Sequence, residues 1–314
     1  MTINRIKTVN NLLVVDWILS NVCNYKCTYC GPDSNGGDQY WPDIEQCETA
    51  VEQITQQSTH DHRMYTILGG EPTVWRDFNR LAQSIKTIDP NSVVNILTNG
   101  SRTVKWWHRT KQYIDKVSIS YHHESANPVH IVDVVNEIQS DCQTNIQMLM
   151  DINDFDKCVG IWEYLRDNTV VPIQIKKLQI EFGGHKGWQD YTAEQREKML
   201  QMHSETKDRP TTKRNITSLG IRVHYDNGDV RREGCHDLIQ AGINKFEGWK
   251  CSIGKDLIVI KPNGDVLPAN ACNQKVLMGN IKTAPGKIKL LTEPIVCAYR
   301  ECTCGSDIEI DKYK

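Results

Sequence analysis

The chain reads as an α/β protein: six strand–helix units, then a small cysteine-rich region of β-hairpins. Three observations predict this. Short β-rich runs alternate with longer helical ones from residue 12 to about 182. Cys23, Cys27 and Cys30 share the loop that leaves the first of these runs. Cys251, Cys272, Cys297, Cys302 and Cys304 then crowd a tail rich in turn signals.

Bulk properties narrow the function classes. At 314 residues the chain can bury one large core, or one large and one small. A formal net charge of −2 provides no global basic field, so a nucleic-acid partner is not expected. The N-terminus, Met1-Thr2-Ile3-Asn4-Arg5-Ile6-Lys7, lacks the apolar core of a signal peptide. No run approaches the ~18 apolar residues that span a bilayer, so no membrane association is expected. Twelve cysteines in such a chain are expected to stay reduced in a cytoplasmic setting and to serve metal chemistry.

Taken in order, the predicted strands are Leu13–Ile18, Met64–Leu68, Val93–Leu97, Val117–Tyr121, Asn145–Met150 and Ile173–Ile180. Helical patterns fill Ile44–Ser58, Phe78–Ile88, Val104–Ile114, His130–Ser140 and Asp154–Arg166. This alternation calls for right-handed βαβ units and a parallel sheet, with too few units for a closed eight-fold barrel. Residues 183–248 form a connecting region: a loop at Gly183–Gly187, a charged helix at Thr192–Asp208 and a linker at Asp208–Lys213. A short hairpin follows around Asn227-Gly228. From residue 249 the tail is β-structured, with Asp256–Ile260 and Asp265–Leu267 flanking a second Asn-Gly turn at Asn263-Gly264. The expected units are therefore 1–182, 183–248 and 249–314.

Chemistry concentrates at the strand ends. Cys23-Asn24-Tyr25-Lys26-Cys27-Thr28-Tyr29-Cys30 spaces three thiols as C-x3-C-x2-C. Three thiolates on one loop can hold three corners of a [4Fe-4S] cube and leave one iron open to a chelating molecule. Zinc would need a fourth ligand from elsewhere, and disulfides would need an oxidising compartment. The loop resembles that of the radical S-adenosylmethionine (SAM) superfamily, whose signature is C-x3-C-x-aromatic-C; Tyr29 is the aromatic. The resemblance implies a partial (β/α)6 barrel, a SAM-binding [4Fe-4S] cluster on Cys23, Cys27 and Cys30, and SAM itself.

Further positions fit the same family. Gly69-Gly70-Glu71-Pro72 ends the second strand and matches the family's GGEP motif, which implies that Gly69, Gly70 and Glu71 bind the methionine amino group of SAM. Thr98-Asn99-Gly100 ends the third strand, where the family often shows the same triplet. On the fourth strand, alternation turns Ser118, Ser120 and His122 to one face. A polar face on a central strand suits a cofactor cavity better than an ordinary core. The family commonly has Ser-x-Asp there, so His122 is a departure, and it is a candidate for proton transfer, as is its neighbour His123. Lys176 and Gln174 share a face of the sixth strand.

The C-terminal cysteines, threaded by a hairpin, suit a four-thiolate cluster site and resemble the twitch domain, the shortened form of the SPASM domain. That resemblance implies a small cysteine-rich β-hairpin/α domain with an auxiliary [4Fe-4S] cluster. Cys251, Cys272, Cys302 and Cys304 are the first choice of ligands, with Cys297 able to replace either of the last two. A zinc ribbon is the rival. The implied activity is reductive cleavage of SAM to a 5′-deoxyadenosyl radical that abstracts hydrogen from a substrate, with a reductant such as flavodoxin or ferredoxin. With the cluster loop starting at residue 23, no fused leader-binding domain is expected. A polar small molecule, a nucleotide or nucleoside, or a peptide brought by a partner are the substrate classes. The alternative from another class is a non-catalytic metal protein, either an iron-sulfur electron carrier or a zinc-stabilised interaction module.

Overall fold

The structure is a computed structural model that describes every residue except 1, 38–40, 181–186, 211–219, 271, 273–275 and 285. The expected loop at 183–187 and the linker at 208–213 fall largely outside the described residues. The chain enters on β1 (Ile3–Thr8) and turns directly into β2 (Leu12–Ile18). It then follows β3 (His62–Leu68), β4 (Ser92–Thr98), β5 (Lys116–Tyr121), β6 (Gln143–Met150) and β7 (Ile173–Lys177). Helices precede or join these strands: α1 (Pro32–Asn35), α2 (Ile44–Gln57), α3 (Phe78–Ile88), α4 (Val104–Thr110), α5 (Pro128–Ile138) and α6 (Phe155–Asn168). Strands β2 to β7 pair in parallel, in sequence order.

The reasons are local. Asp43 caps α2 by accepting from the Glu45 and Gln46 amides, and Thr103 and Asn127 cap α4 and α5 in the same way. β2 is buried nearly throughout because helices cover one face and later chain covers the other, so its sequence is a continuous apolar run broken by Asp16. β5 and β6 instead alternate. Val117, Ile119, Tyr121, Ile146 and Met148 are fully buried against the helical layer, and their neighbours line the concave face.

The remaining elements are α7 (Ala193–Thr206), β8 (Ile221–Tyr225), β9 (Val230–Glu233), α8 (Cys235–Gln240), β10 (Lys250–Cys251), β11 (Leu257–Ile260), β12 (Asp265–Leu267) and β13 (Gly279–Asn280). The chain closes with β14 (Ile295–Val296), α9 (Gly305–Ile308) and β15 (Lys312–Tyr313). Both Asn-Gly turns are present, with Gly228 and Gly264 at φ +90° and +92°, conformations that favour glycine.

Strand pairing crosses the expected unit boundaries. β11 pairs in parallel with β2, extending the barrel sheet to nine strands in the order β13-β12-β11-β2-β3-β4-β5-β6-β7. A second, six-stranded sheet, β14-β10-β15-β1-β8-β9, draws on the N-terminus, the connecting region and the tail. β1 is absent from the sequence reading because Ile3-Asn4-Arg5-Ile6 is polar and its partners lie more than 200 residues away. Leu12, Val14, Met64 and Val93 pack with Ile253, Leu257, Ala269 and Ile310, so the tail plugs one end of the barrel with an apolar floor. Among the described residues, no helix is long and apolar enough to cross a membrane.

Candidate cofactor sites in the barrel and the cysteine-rich tail

Two backbone bonds clamp the three-cysteine loop to the next strand end: Gly70 N donates to Ser20 O, and Glu71 N to Val22 O, both at 2.9 Å. The approach is so close that a Cβ on Gly69 would lie 2.4 Å from Ser20 O, and one on Gly70 2.3 Å from Val22 O. Glycine is required here to let one loop lie on the other.

Glu71 is fully buried. One of its oxygens accepts from Thr73 N (3.0 Å), Thr73 Oγ1 (2.5 Å) and Thr98 Oγ1 (2.8 Å), and the other from Asn99 N (2.6 Å). Burial pushes its pKa up, opposed by these donors. The carboxylate thus directs both oxygens at the chain itself, pinning the Gly69–Pro72 turn to Thr98-Asn99. Asn99 Nδ2 in turn donates to Asn24 Oδ1 at 2.9 Å, inside the cysteine loop.

The thiols are free, with Cys27 buried and Cys23 and Cys30 half-buried. Burial pushes the Cys30 thiol up to about 11, and the charges of Cys27 and Cys23 push the same way. Three mutually repelling thiolates are the donor set that a cationic cluster would neutralise. His122 closes over this loop. Its Nδ1 lies 3.5 Å from Cys27 Sγ and 3.1 Å from the Tyr29 hydroxyl. Its ring stacks on that of Tyr29, with centroids 5.9 Å apart and planes at 7°. Burial, then the neighbouring His123, lowers the His122 pKa to about 4, so the ring stays neutral at ordinary pH. His123 is buried, with Nε2 3.0 Å from Asp154 Oδ2. Glu124 accepts from Thr28 N (2.8 Å) and Thr28 Oγ1 (2.5 Å).

Ser118, Ser120 and His122 lie on the concave face as the alternation requires, and Ser118 Oγ donates to Asn145 Oδ1 at 2.8 Å. Sequence reading named Lys176 on this face but missed Asp16 and Lys116. Asp16 is buried on β2, accepts from Asn270 Nδ2 at 2.5 Å, and is pushed up to about 6, chiefly by burial. Its signal was one acid in an apolar run. Burial also lowers Lys116 and Lys176 to about 8, with Glu309 the carboxylate near both.

In the tail, Cys272, Cys297 and Cys302 line one pocket with Tyr299, Glu301 and Asp307. Burial pushes Cys302 up to about 12, with the charges of Cys251 and Cys297 adding to it, and Cys272 feels Cys251, Cys302 and Cys297 alike. These four thiols are mutual neighbours. Cys304 is the N-cap residue of α9; its largest charge neighbours are Asp307 and Asp16, ahead of Cys302. Sequence counting could not separate the five, because Cys297 joins the group through β14, which pairs with β10.

Comparison with known proteins adds to this geometry. Residues 17–168 match the family model described as the radical SAM superfamily. The chain is similar to the GTP 3′,8-cyclase of Vibrio parahaemolyticus, 23% identical over 181 residues covering 52% of each protein. It is also similar to that of Staphylococcus carnosus, 25% identical over 208 residues covering 59% of each. It thus spans between half and three-fifths of those relatives. Among solved structures, native anSMEcpe with bound AdoMet superposes with a TM-score of 0.57 at 17% identity, over 87% of this chain and 78% of that one. Streptococcus suis SuiB bound to precursor peptide SuiA gives 0.55 at 16%, over 83% and 60%. These structural likenesses concern the fold.

Proposed function

We propose that the chain is a radical SAM enzyme acting on a polar substrate, a reading supported by the match of residues 17–168 to the radical SAM superfamily model. The observation that carries the reading is the clamp: three free thiols on a loop whose backbone is bonded to Gly70 and Glu71. Cys23, Cys27 and Cys30 would hold the cluster, with SAM completing its fourth iron. Bound together, cluster and SAM supply a 5′-deoxyadenosyl radical that removes a hydrogen atom from the substrate.

The chain's own residues position and shield that chemistry. Gly69 and Gly70 bring backbone against the cysteine loop, while Glu71 holds Thr98 and Asn99 in place behind it. Tyr29 and His122 cover Cys27 and keep water from it. Ser118, Ser120, Asn145 and Gln174 line the concave face with hydrogen-bonding groups, and Lys116 and Lys176 add positive charge. A face of this kind binds a polar metabolite. The similarity to GTP 3′,8-cyclases supports a nucleotide within that class.

The pocket thiols Cys272, Cys297 and Cys302, with Cys251 as their charge neighbour, support these four as ligands of an auxiliary cluster, Cys297 standing in place of Cys304. That cluster would serve as an electron acceptor or relay, or as an anchor for substrate.

Anaerobic reconstitution tests the reading. About eight irons per chain, four for each cluster, and 5′-deoxyadenosine from SAM with dithionite are expected. Zinc without SAM cleavage would overturn it. Incubation with a panel of nucleoside triphosphates should then raise deoxyadenosine formation above the uncoupled rate for one of them.

A further inference from the structure

We propose that the solvent face of the six-stranded sheet is a docking surface for an acidic one-electron carrier protein. The inference rests on the auxiliary-cluster reading, because the thiols assigned to that cluster lie directly beneath this sheet.

Register and burial define the face. Across neighbouring strands, Lys250 of β10 stands opposite Tyr313 of β15, Tyr313 opposite Arg5 of β1, and Arg5 opposite His224 of β8. In a second row Lys7 stands opposite Arg222, and Arg222 opposite Arg232. Arg5, Lys7, Arg222, Arg232 and Lys250 are all exposed. Neither row contains a carboxylate, and none of the five cations forms an ion pair among the described residues. Asp311, at the margin, is held by Thr8 N (2.6 Å) and Thr8 Oγ1 (2.8 Å). A protein of net charge −2 thus concentrates five cations on one sheet face about 24 Å across, six strands at about 4.8 Å spacing. Such segregation steers an oppositely charged partner.

Three features favour an acidic protein over a nucleic acid. The ring of its central aromatic, Tyr313, is already covered by Arg5 (5.9 Å) and Lys250 (5.8 Å), so it offers no free platform for a base. Exposed valines bracket the first row, Val296 at 59% and Val230 at 53% exposure; they suit apolar contact with a protein rather than a phosphate backbone. The opposite side of the same strands carries the thiols. Cys251 alternates with Lys250 on β10, and Cys297 follows β14 with its backbone bonded to Trp249 and Gly248. A carrier seated on the outer face would stand one sheet thickness from them.

The test uses the reconstituted enzyme and fluorescently labelled, oxidised flavodoxin, with binding followed by anisotropy. The triple variant Arg5→Glu, Arg222→Glu, Lys250→Glu should weaken binding at least tenfold, and wild-type affinity should fall steeply with added salt. Lys157→Glu, an exposed change on α6, should leave affinity intact. Thermal melts of the triple variant should stay close to wild type, since all three side chains are exposed and only the contacts of Arg5 and Lys250 with the Tyr313 ring are lost. Unchanged binding in the triple variant overturns the docking surface. So does a short RNA that binds more tightly than flavodoxin and is lost with the same three changes. Iron is counted in parallel: about four per chain overturns the auxiliary cluster itself, whereas about eight with unchanged flavodoxin binding overturns only the docking surface.

Discussion

Of the three loop thiols Cys27 is the most enclosed, with His122 and Tyr29 beside it. Cys27→Ala is expected to lower iron content by about four per chain and to abolish deoxyadenosine formation while leaving the thermal melt of the metal-free protein near wild type. Retained iron with retained cleavage would remove Cys27 from the ligand set. Asp16 belongs to the same scale. Its folded pKa, about 6, lies above its ordinary value of 3.8, so the folded state binds the extra proton. The sign follows: Asp16 costs nothing below about pH 4, and its penalty grows to about 3 kcal/mol as pH rises past 6. Asp16→Asn should therefore make the metal-free protein melt higher at pH 7.5, with a smaller gain at pH 5. A melt lowered equally at both would give Asp16 a purely structural role through Asn270. Of these residues, the cysteines and the polar face of β5 were legible, because spacing and alternation encode them. Asp16 was not, because its partner Asn270 is 254 positions away.

At the scale of elements, the telling join is the crossing of the cysteine loop and the turn after β3. Gly69 sits at φ +147° and Gly70 faces Val22 O, so neither tolerates a side chain. Gly70→Ala should destabilise the metal-free protein by about 1–3 kcal/mol through overpacking and reduce iron uptake in step, read by chemical denaturation and iron assay. Wild-type stability in that variant would mean that the two loops can part. The Gly-Gly-Glu-Pro run pointed to this turn, yet the use of Glu71 as an internal clasp was hidden: a carboxylate after two glycines reads equally as a ligand group. The hairpin of β11 and β12 was likewise visible from its Asn-Gly turn. Its place beside β2 was not, since Leu257–Ile260 is apolar on both faces and names no partner.

At the scale of the molecule, two sheets tie the ends of the chain to its middle. β2 is bordered by β3 on one side and β11 on the other, and β1 by β15 and β8. A chain stopped after residue 248 would leave β2 an open, apolar edge and strip the floor from the barrel. Such a truncation is expected to aggregate rather than yield a working barrel, as sedimentation and circular dichroism would register. A monomeric, SAM-cleaving fragment would make the tail dispensable. The βα alternation was readable because each unit closes on its neighbour. The second sheet was not, because its strands are two to six residues long and scattered from residue 3 to residue 313.

The pairing of β11 with β2 also sets a timetable during synthesis. The strand that presents the three thiols is among the first made, and its flanking strand emerges some 240 residues later. For that interval the ribosome-bound chain carries its thiols on an unfinished sheet, at risk from oxidants and from the wrong metal. Iron loading is therefore expected to follow the docking of β11 on β2 rather than synthesis of the cysteine loop alone.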